Sequence, residues 1–215
     1  MKQNYSDITV VLDRSGSMGS LTEEVIGSFN NFLDEQKKVE GEATFTLIQF
    51  DDQYEVNFDA IDLQKTSHLD ENTYVPRGMT ALFDAVGKAI ISTGKRLSAM
   101  DESVRPEKVI FLIQTDGEEN ASKEFSLKKV KSMIREQLEV YSWEFVFLGA
   151  NIDAVSVAAD IGIRQDRAMK YANNAQGTQE AFCSLSSNMA SFRRGEKLDM
   201  SYEDKDFDAQ KKAGV

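Results

Sequence analysis

Ile8-Thr9-Val10-Val11-Leu12-Asp13-Arg14-Ser15-Gly16-Ser17-Met18-Gly19 is the stretch that decides the fold. Its first five residues are apolar or β-branched without a polar alternation, the signature of a strand buried on both faces. Ser15 to Gly19 is turn chemistry that ends the strand. Asp13, Ser15 and Ser17 therefore gather three oxygen-bearing side chains at a strand's carboxyl end. In open α/β sheets, ligands bind at such ends where the strand order reverses. A carboxylate and two hydroxyls are small, hard ligands, suited to Mg²⁺ or Mn²⁺ rather than to a metal that prefers His and Cys.

Downstream, Val25, Phe29, Phe32 and Leu33 repeat at helical spacing and predict an amphipathic helix over 21–39. Strands follow over 43–50 and 53–58, joined at Asp51-Asp52 as a tight hairpin, which makes the third strand an antiparallel edge. Residues 61–78 form a long polar loop with one turn of helix, and long ordered loops in compact domains tend to serve function. The loop delivers Thr80 just before a helix over 81–100.

Val109-Ile110-Phe111-Leu112-Ile113 is the most continuous apolar run and predicts the central parallel strand, 108–114. It empties into Thr115-Asp116-Gly117-Glu118-Glu119-Asn120, a second strand end with a carboxylate followed by glycine. A helix (126–139), a strand (144–148), a short helix (154–161), a weak strand (168–172) and a last helix (176–192) complete the alternation. The expected class is α/β: a doubly wound, mostly parallel sheet with one antiparallel edge strand and helices on both faces. Residues 1–195 form this domain, and 196–215, rich in Asp, Glu and Lys, are expected as a frayed acidic tail.

The 215 residues suit one sizeable domain, and 41% hydrophobic with 28% charged content is that of a soluble globular chain. A formal charge of −11 disfavours nucleic acid and anionic membrane surfaces as partners. No apolar run approaches a membrane span and the first residues lack a signal-peptide core, so a cytoplasmic setting is expected. The single cysteine, Cys183, lies in an apolar patch and reads as inert core.

Asp13, Ser15 and Ser17, then Thr80, then Asp116 are five hard oxygen ligands on three loops, enough with water to complete an octahedron. They meet only if the strands ending at Leu12 and Gln114 are neighbours with Thr80 packed across their tips. At this point Asp13-x-Ser15-x-Ser17, Gly78-Met79-Thr80-Ala81-Leu82 and Thr115-Asp116-Gly117 resemble the three motifs of the von Willebrand factor A domain, over roughly residues 5–193. The resemblance implies a complete metal-ion-dependent adhesion site. It implies that Ser15, Ser17 and Thr80 offer hydroxyls to Mg²⁺, with Mn²⁺ or Ca²⁺ as alternatives, and that Asp13 and Asp116 act largely through water and hydrogen bonds. It further implies an open coordination position filled by an Asp or Glu of a partner protein. Small, unsecreted members of this kind look like bacterial and bacteriophage adaptors.

Blander readings stand beside these. Asp51 and Asp52 read as turn residues, Glu118, Glu119 and Asn120 as a solvated loop, and His68 as a surface residue. Lys128, Lys131 and Arg135 share one solvated helix face, and Met189 packs in the core. Glu203, Asp204, Asp206 and Asp208 are carboxylates for a mobile tail to offer to the site of its own or a neighbouring copy. The expected function is a non-enzymatic, Mg²⁺-dependent protein-binding module. The alternatives are a metal-dependent hydrolase or phosphoryl-transfer enzyme, and a structural self-assembling subunit. The enzyme reading lacks a nucleotide loop, a second Asp two residues after Asp13, and a G-x-S-x-G serine.

Overall fold

The computed structural model describes residues 1–150 and 153–215. Its strands are β1 (Lys2–Asp13), β2 (Glu42–Phe50), β3 (Tyr54–Asp62), β4 (Pro106–Thr115), β5 (Glu144–Ala150) and β6 (Ala168–Tyr171). The helices are α1 (Thr22–Lys37), α2 (Leu82–Ser98), α3 (Leu127–Tyr141), α4 (Ala154–Asp160), α5 (Ala175–Arg193) and α6 (Asp204–Ala213).

All six strands form one sheet in the order β3-β2-β1-β4-β5-β6, parallel except for the β2–β3 hairpin at one edge. The α/β class with its antiparallel edge strand is therefore as the apolar runs predict. Strand order reverses between β1 and β4, which lie side by side with Leu12 opposite Gln114. Asp13 and Asp116 leave the sheet from these neighbouring tips, so the chain places both carboxylates in the crevice where such folds bind ligands.

Successive side chains of β1 point to opposite faces. Val10 and Leu12 pack with Phe29 and Phe32 of α1 and Leu185 and Met189 of α5. Val11, with Phe111 and Ile113 of β4, packs instead against Val86 of α2 and Ile134 of α3. Trp143 stacks on Phe111 at 5.3 Å between ring centroids. Burying a side chain of this size stabilises by about 1.5–3 kcal/mol, so the two layers fix the strand register and with it the loops at the strand tips.

Two expectations meet a different structure. The segment after Glu196 is not frayed: it runs along the β6 side of the sheet and ends in α6. Met200 and Tyr202 are buried, the Tyr202 N–H donates to the Asp166 carbonyl at 2.7 Å, and Lys197 Nζ donates to Asn188 Oδ1 at 2.7 Å. A reciprocal capping box joins Glu203 and Asp206, and Gly214 closes the helix at φ 110°. Of the four carboxylates expected on a mobile tail, three are engaged, Glu203 with Lys205, Asp208 with Lys211, and Asp206 with the Glu203 N–H, and Asp204 is exposed in the first turn of α6. Cys183 is the second difference. It is exposed, opening into a groove of about 690 Å³ between α1 and α5, because its neighbours Phe182 and Leu185 take the inward positions of the helix.

Candidate metal centre

The site is built on backbone geometry before any ligand is considered. Asp13 ends β1 with its side chain turned into the protein and none of it exposed. Its Oδ1 accepts the Ser15 N–H at 2.6 Å, which folds the first loop back over the carboxylate. Its Oδ2 accepts the Thr115 hydroxyl from the neighbouring strand tip. The Asp13 carbonyl takes the hydroxyl of buried Tyr74 at 2.7 Å, pinning the long loop to the end of β1.

Ser15 and Ser17 hydroxyls lie 3.1 Å apart, and Ser17 Oγ donates to Asp116 Oδ1 at 2.6 Å. Thr80 arrives from the third segment. A methyl group placed on Gly117 would stand 2.9 Å from Thr80 Oγ1, 3.4 Å from Ser17 Oγ and 3.8 Å from Ser15 Oγ. The three hydroxyls thus ring the one residue that has no side chain to keep them apart. All five residues singled out in the sequence come together.

Other side chains hold this geometry. Asn120 Oδ1 accepts the Thr80 N–H at 3.0 Å, while the Thr80 carbonyl accepts the N–H groups of Asn120 and Ala121. Glu119 accepts from Phe83 N at 3.0 Å at the start of α2 and from Ala121 and Ser122 N at 2.9 and 2.7 Å. Asp84 takes three further backbone N–H groups, from Lys123, Glu124 and Phe125. Glu119 and Asn120, read above as a solvated loop, are the braces that fix Thr80 against Asp116; Glu118 alone of the three stays free of such duty.

Asp51 is more than a turn residue. It is fully buried, its Oδ1 accepts the Gln53 N–H at 2.6 Å, and its Oδ2 receives Arg14 Nε at 3.2 Å and Arg77 Nε at 2.9 Å. It ties the first loop to the long one, and no local pattern in the sequence marks that role. His68 is exposed and pairs with Asp34, Arg135 pairs with Glu139 on the outer face of α3, and Met189 is core, as expected.

The donor set fits a hard divalent cation. Asp116 Oδ2 is buried with no hydrogen-bond partner, a costly state that a cation or its bound water would relieve. Burial pushes the Asp116 carboxyl above its ordinary value, against the Ser17 hydroxyl. Among the described residues no cluster of three or more His, Cys, Asp or Glu could hold a metal, so hydroxyls must supply much of any coordination shell. That composition leaves a bound cation with positive charge unspent, available to an external anion.

Burial also pushes Asp13 up to about 6, opposed by the hydrogen bonds from Thr115 and Ser15. The folded carboxyl then holds its proton more tightly than the unfolded one. The associated stability is fully present below about pH 4 and is lost as pH rises through about 6, a span worth on the order of 3 kcal/mol. Metal-free protein is expected to gain stability on going from pH 7 to pH 5, and Asp13→Asn to flatten that gain. Urea denaturation in chelator at the two pH values checks this; identical slopes in both proteins would refute it.

A sequence model of the von Willebrand factor type A domain matches residues 7–182. The chain belongs to the von Willebrand factor type A domain family. Solved structures resemble it in fold at low identity. Proximal thread matrix protein 1 from the mussel byssus, in a form with a zinc-occupied metal-ion-dependent adhesion site motif, superposes with a TM-score of 0.61 at 17% identity, covering 86% of this chain and 46% of that one. The pilus adhesin SpaC from Lactobacillus rhamnosus GG, in its open conformation, gives 0.63 at 14% identity over 89% of this chain and 30% of the adhesin. A von Willebrand factor type A protein from Catenulispora acidiphila gives 0.56 at 13%, covering 88% and 43%. This chain spans less than half the length of each of these three. No curated protein matches its sequence. Domains of this A family are typically metal-dependent protein-interaction modules, and among the described residues no helix is long and apolar enough to cross a membrane.

Proposed function

We propose that this A domain is a non-enzymatic protein-binding module in which Asp13, Ser15, Ser17, Thr80 and Asp116 hold Mg²⁺ and a carboxylate of a partner protein completes the metal's shell. The observation that carries the reading is the convergence of three hydroxyls on Gly117 beside an orphaned carboxylate oxygen of Asp116. Mn²⁺ or Ca²⁺ would satisfy the same oxygens, with Ca²⁺ favoured only if further ligands enter.

When bound, the cation supplies Lewis acidity toward an external oxygen. The chain's own residues do the rest. Ser15, Ser17 and Thr80 present neutral oxygens, so the positive charge is not cancelled at close range. Asp116 orients the Ser17 hydroxyl by hydrogen bonding, Asp13 holds the Ser15 backbone and the Thr115 hydroxyl, and the Asn120, Glu119 and Asp84 braces keep the loops in register. Among the described residues, the hydroxyl–carboxylate pairs at the site, Ser17–Asp116 and Thr115–Asp13, belong to the proposed metal site itself, and His68 is paired with Asp34 on the surface, which favours binding over hydrolysis.

We place this activity in the cytoplasm of a bacterium or its virus, where Cys183 would persist as an exposed free thiol. Affinity capture from native lysate with Mg²⁺, with chelator, and with Asp13→Ala tests the function. A partner retained only by the wild type in Mg²⁺ is expected; equal recovery in all three would refute it.

A further inference from the structure

The face around the metal centre is uneven. On one side the first loop offers only small exposed residues, Gly16, Ser17, Gly19 and Ser20. On the other, the loop leading to Thr80 exposes Val75 and Met79, the latter 54% accessible although it directly precedes a buried site residue. That loop is fastened to the first one, Gly16 N–H to the Gly78 carbonyl at 3.2 Å and Arg77 N–H to the Arg14 carbonyl at 2.8 Å. Val75 and Met79 therefore stand on the rim of the site rather than apart from it.

The rim also carries exposed carboxylates. Asp52 is exposed and lies directly over Gly78. Glu118 follows Asp116 by two residues and is exposed, and Glu23 is exposed in the first turn of the helix leaving the first loop. Of the cations nearby, Arg77 is spent on Asp51 and lies 4.0 Å from Glu55, Lys88 pairs with Glu124, and Lys123 is exposed and lines the same pocket as Asp52. An acidic group approaching alone would meet repulsion from carboxylates within a screening length.

Resting on the function proposed above, we infer that the partner presents its metal-seeking Asp or Glu between an apolar residue, which seats on Met79 and Val75, and a Lys or Arg, which answers Asp52 and Glu118. A methionine suits such a seat because its unbranched thioether adapts to the shape laid on it. The acidic rim supplies discrimination as well as attraction, since it rejects a run of acids that the metal alone would accept.

Three capped pentapeptides test this with full-length, ¹⁵N-labelled protein in saturating Mg²⁺ at low salt: Gly-Leu-Asp-Lys-Gly, Gly-Leu-Asp-Glu-Gly and Gly-Ser-Asp-Lys-Gly, with the flanking residues also reversed. Titration by amide chemical shift should show the Leu/Lys peptide binding at least about fivefold tighter than the other two in one of its orders. Met79→Ser should erase the preference for Leu, and the pair Asp52→Asn, Glu118→Gln should erase the preference for Lys. All are exposed positions whose replacement leaves the core untouched. Equal Mg²⁺-dependent binding of every peptide would overturn the rim reading and leave the metal-bridged carboxylate standing. No Mg²⁺-dependent shift with any peptide would overturn both.

Discussion

Asp116→Ala will lose Mg²⁺ affinity by about 100-fold or more while melting no lower than the wild type in chelator. The two halves of this result have one cause. Asp116 ends in a place where burial raises its pKa and where Oδ2 finds no partner, its one side-chain hydrogen bond coming from Ser17. Without a cation the carboxylate is a burden, so alanine relieves the metal-free fold. With a cation the same carboxylate is a main source of the attraction, and fixed charge at a site dominates affinity for hard ions. Calorimetric Mg²⁺ titration and thermal melts in chelator measure both. A variant that melts well below the wild type in chelator would mean that Asp116 is a structural residue, and the metal assignment would have lost its main support.

Gly177→Ala will cost about 3 kcal/mol, overpacking at the upper end of the usual range. A methyl group at Gly177 would stand 2.2 Å from the Ala172 carbonyl oxygen, a backbone atom with no freedom to step aside. Moving the start of α5 away would also disturb the Asn174 cap, whose Oδ1 accepts Gly177 N–H at 2.8 Å. It would strain Gln210, which donates to the Gly177 carbonyl at 3.0 Å and accepts from Ala172 N at 3.3 Å. For a domain of this size the melting temperature should fall by roughly 6–12 °C. Gly27→Ala is the matched control: nothing lies within 4 Å of its added carbon, it sits inside α1, and it should stabilise by about 0.5–1 kcal/mol. Equal melting of the Gly177 variant and wild type would mean that this helix start is free to move.

The strand-end loops were legible in the sequence because their signal is local. An apolar run that stops at Asp13 or Thr115 says where a strand tip is, and hydroxyls two residues apart say what the tip carries. Adjacency of the two tips follows from chain topology, which a doubly wound alternation narrows to few choices. What was not legible depends on distant partners. Asp51 looks like any hairpin acid until Arg14 and Arg77 arrive from other loops. Glu119 and Asn120 look like solvent-facing residues until Thr80 and Phe83 need acceptors. The C-terminal helix was hidden by charge: its burial rests on Met200, Tyr202 and Gln210, too sparse to outweigh the Asp and Lys between them. Cys183 is different: the spacing of Phe182, Leu185, Met189 and Phe192 already turns it outward, and only its apolar neighbours in the chain make it resemble core.

The Asn174 amide donates to the Ala213 carbonyl at 3.1 Å, which returns the last helix to the start of α5, beside the carboxyl end of β6. Residue 215 thus emerges on the pole that carries the metal centre, whereas Lys2 pairs with Pro106 at the amino ends of the strands. A bead, dye or fusion attached behind Val215 would crowd whatever docks there. Tethering through the first residue would leave that approach clear.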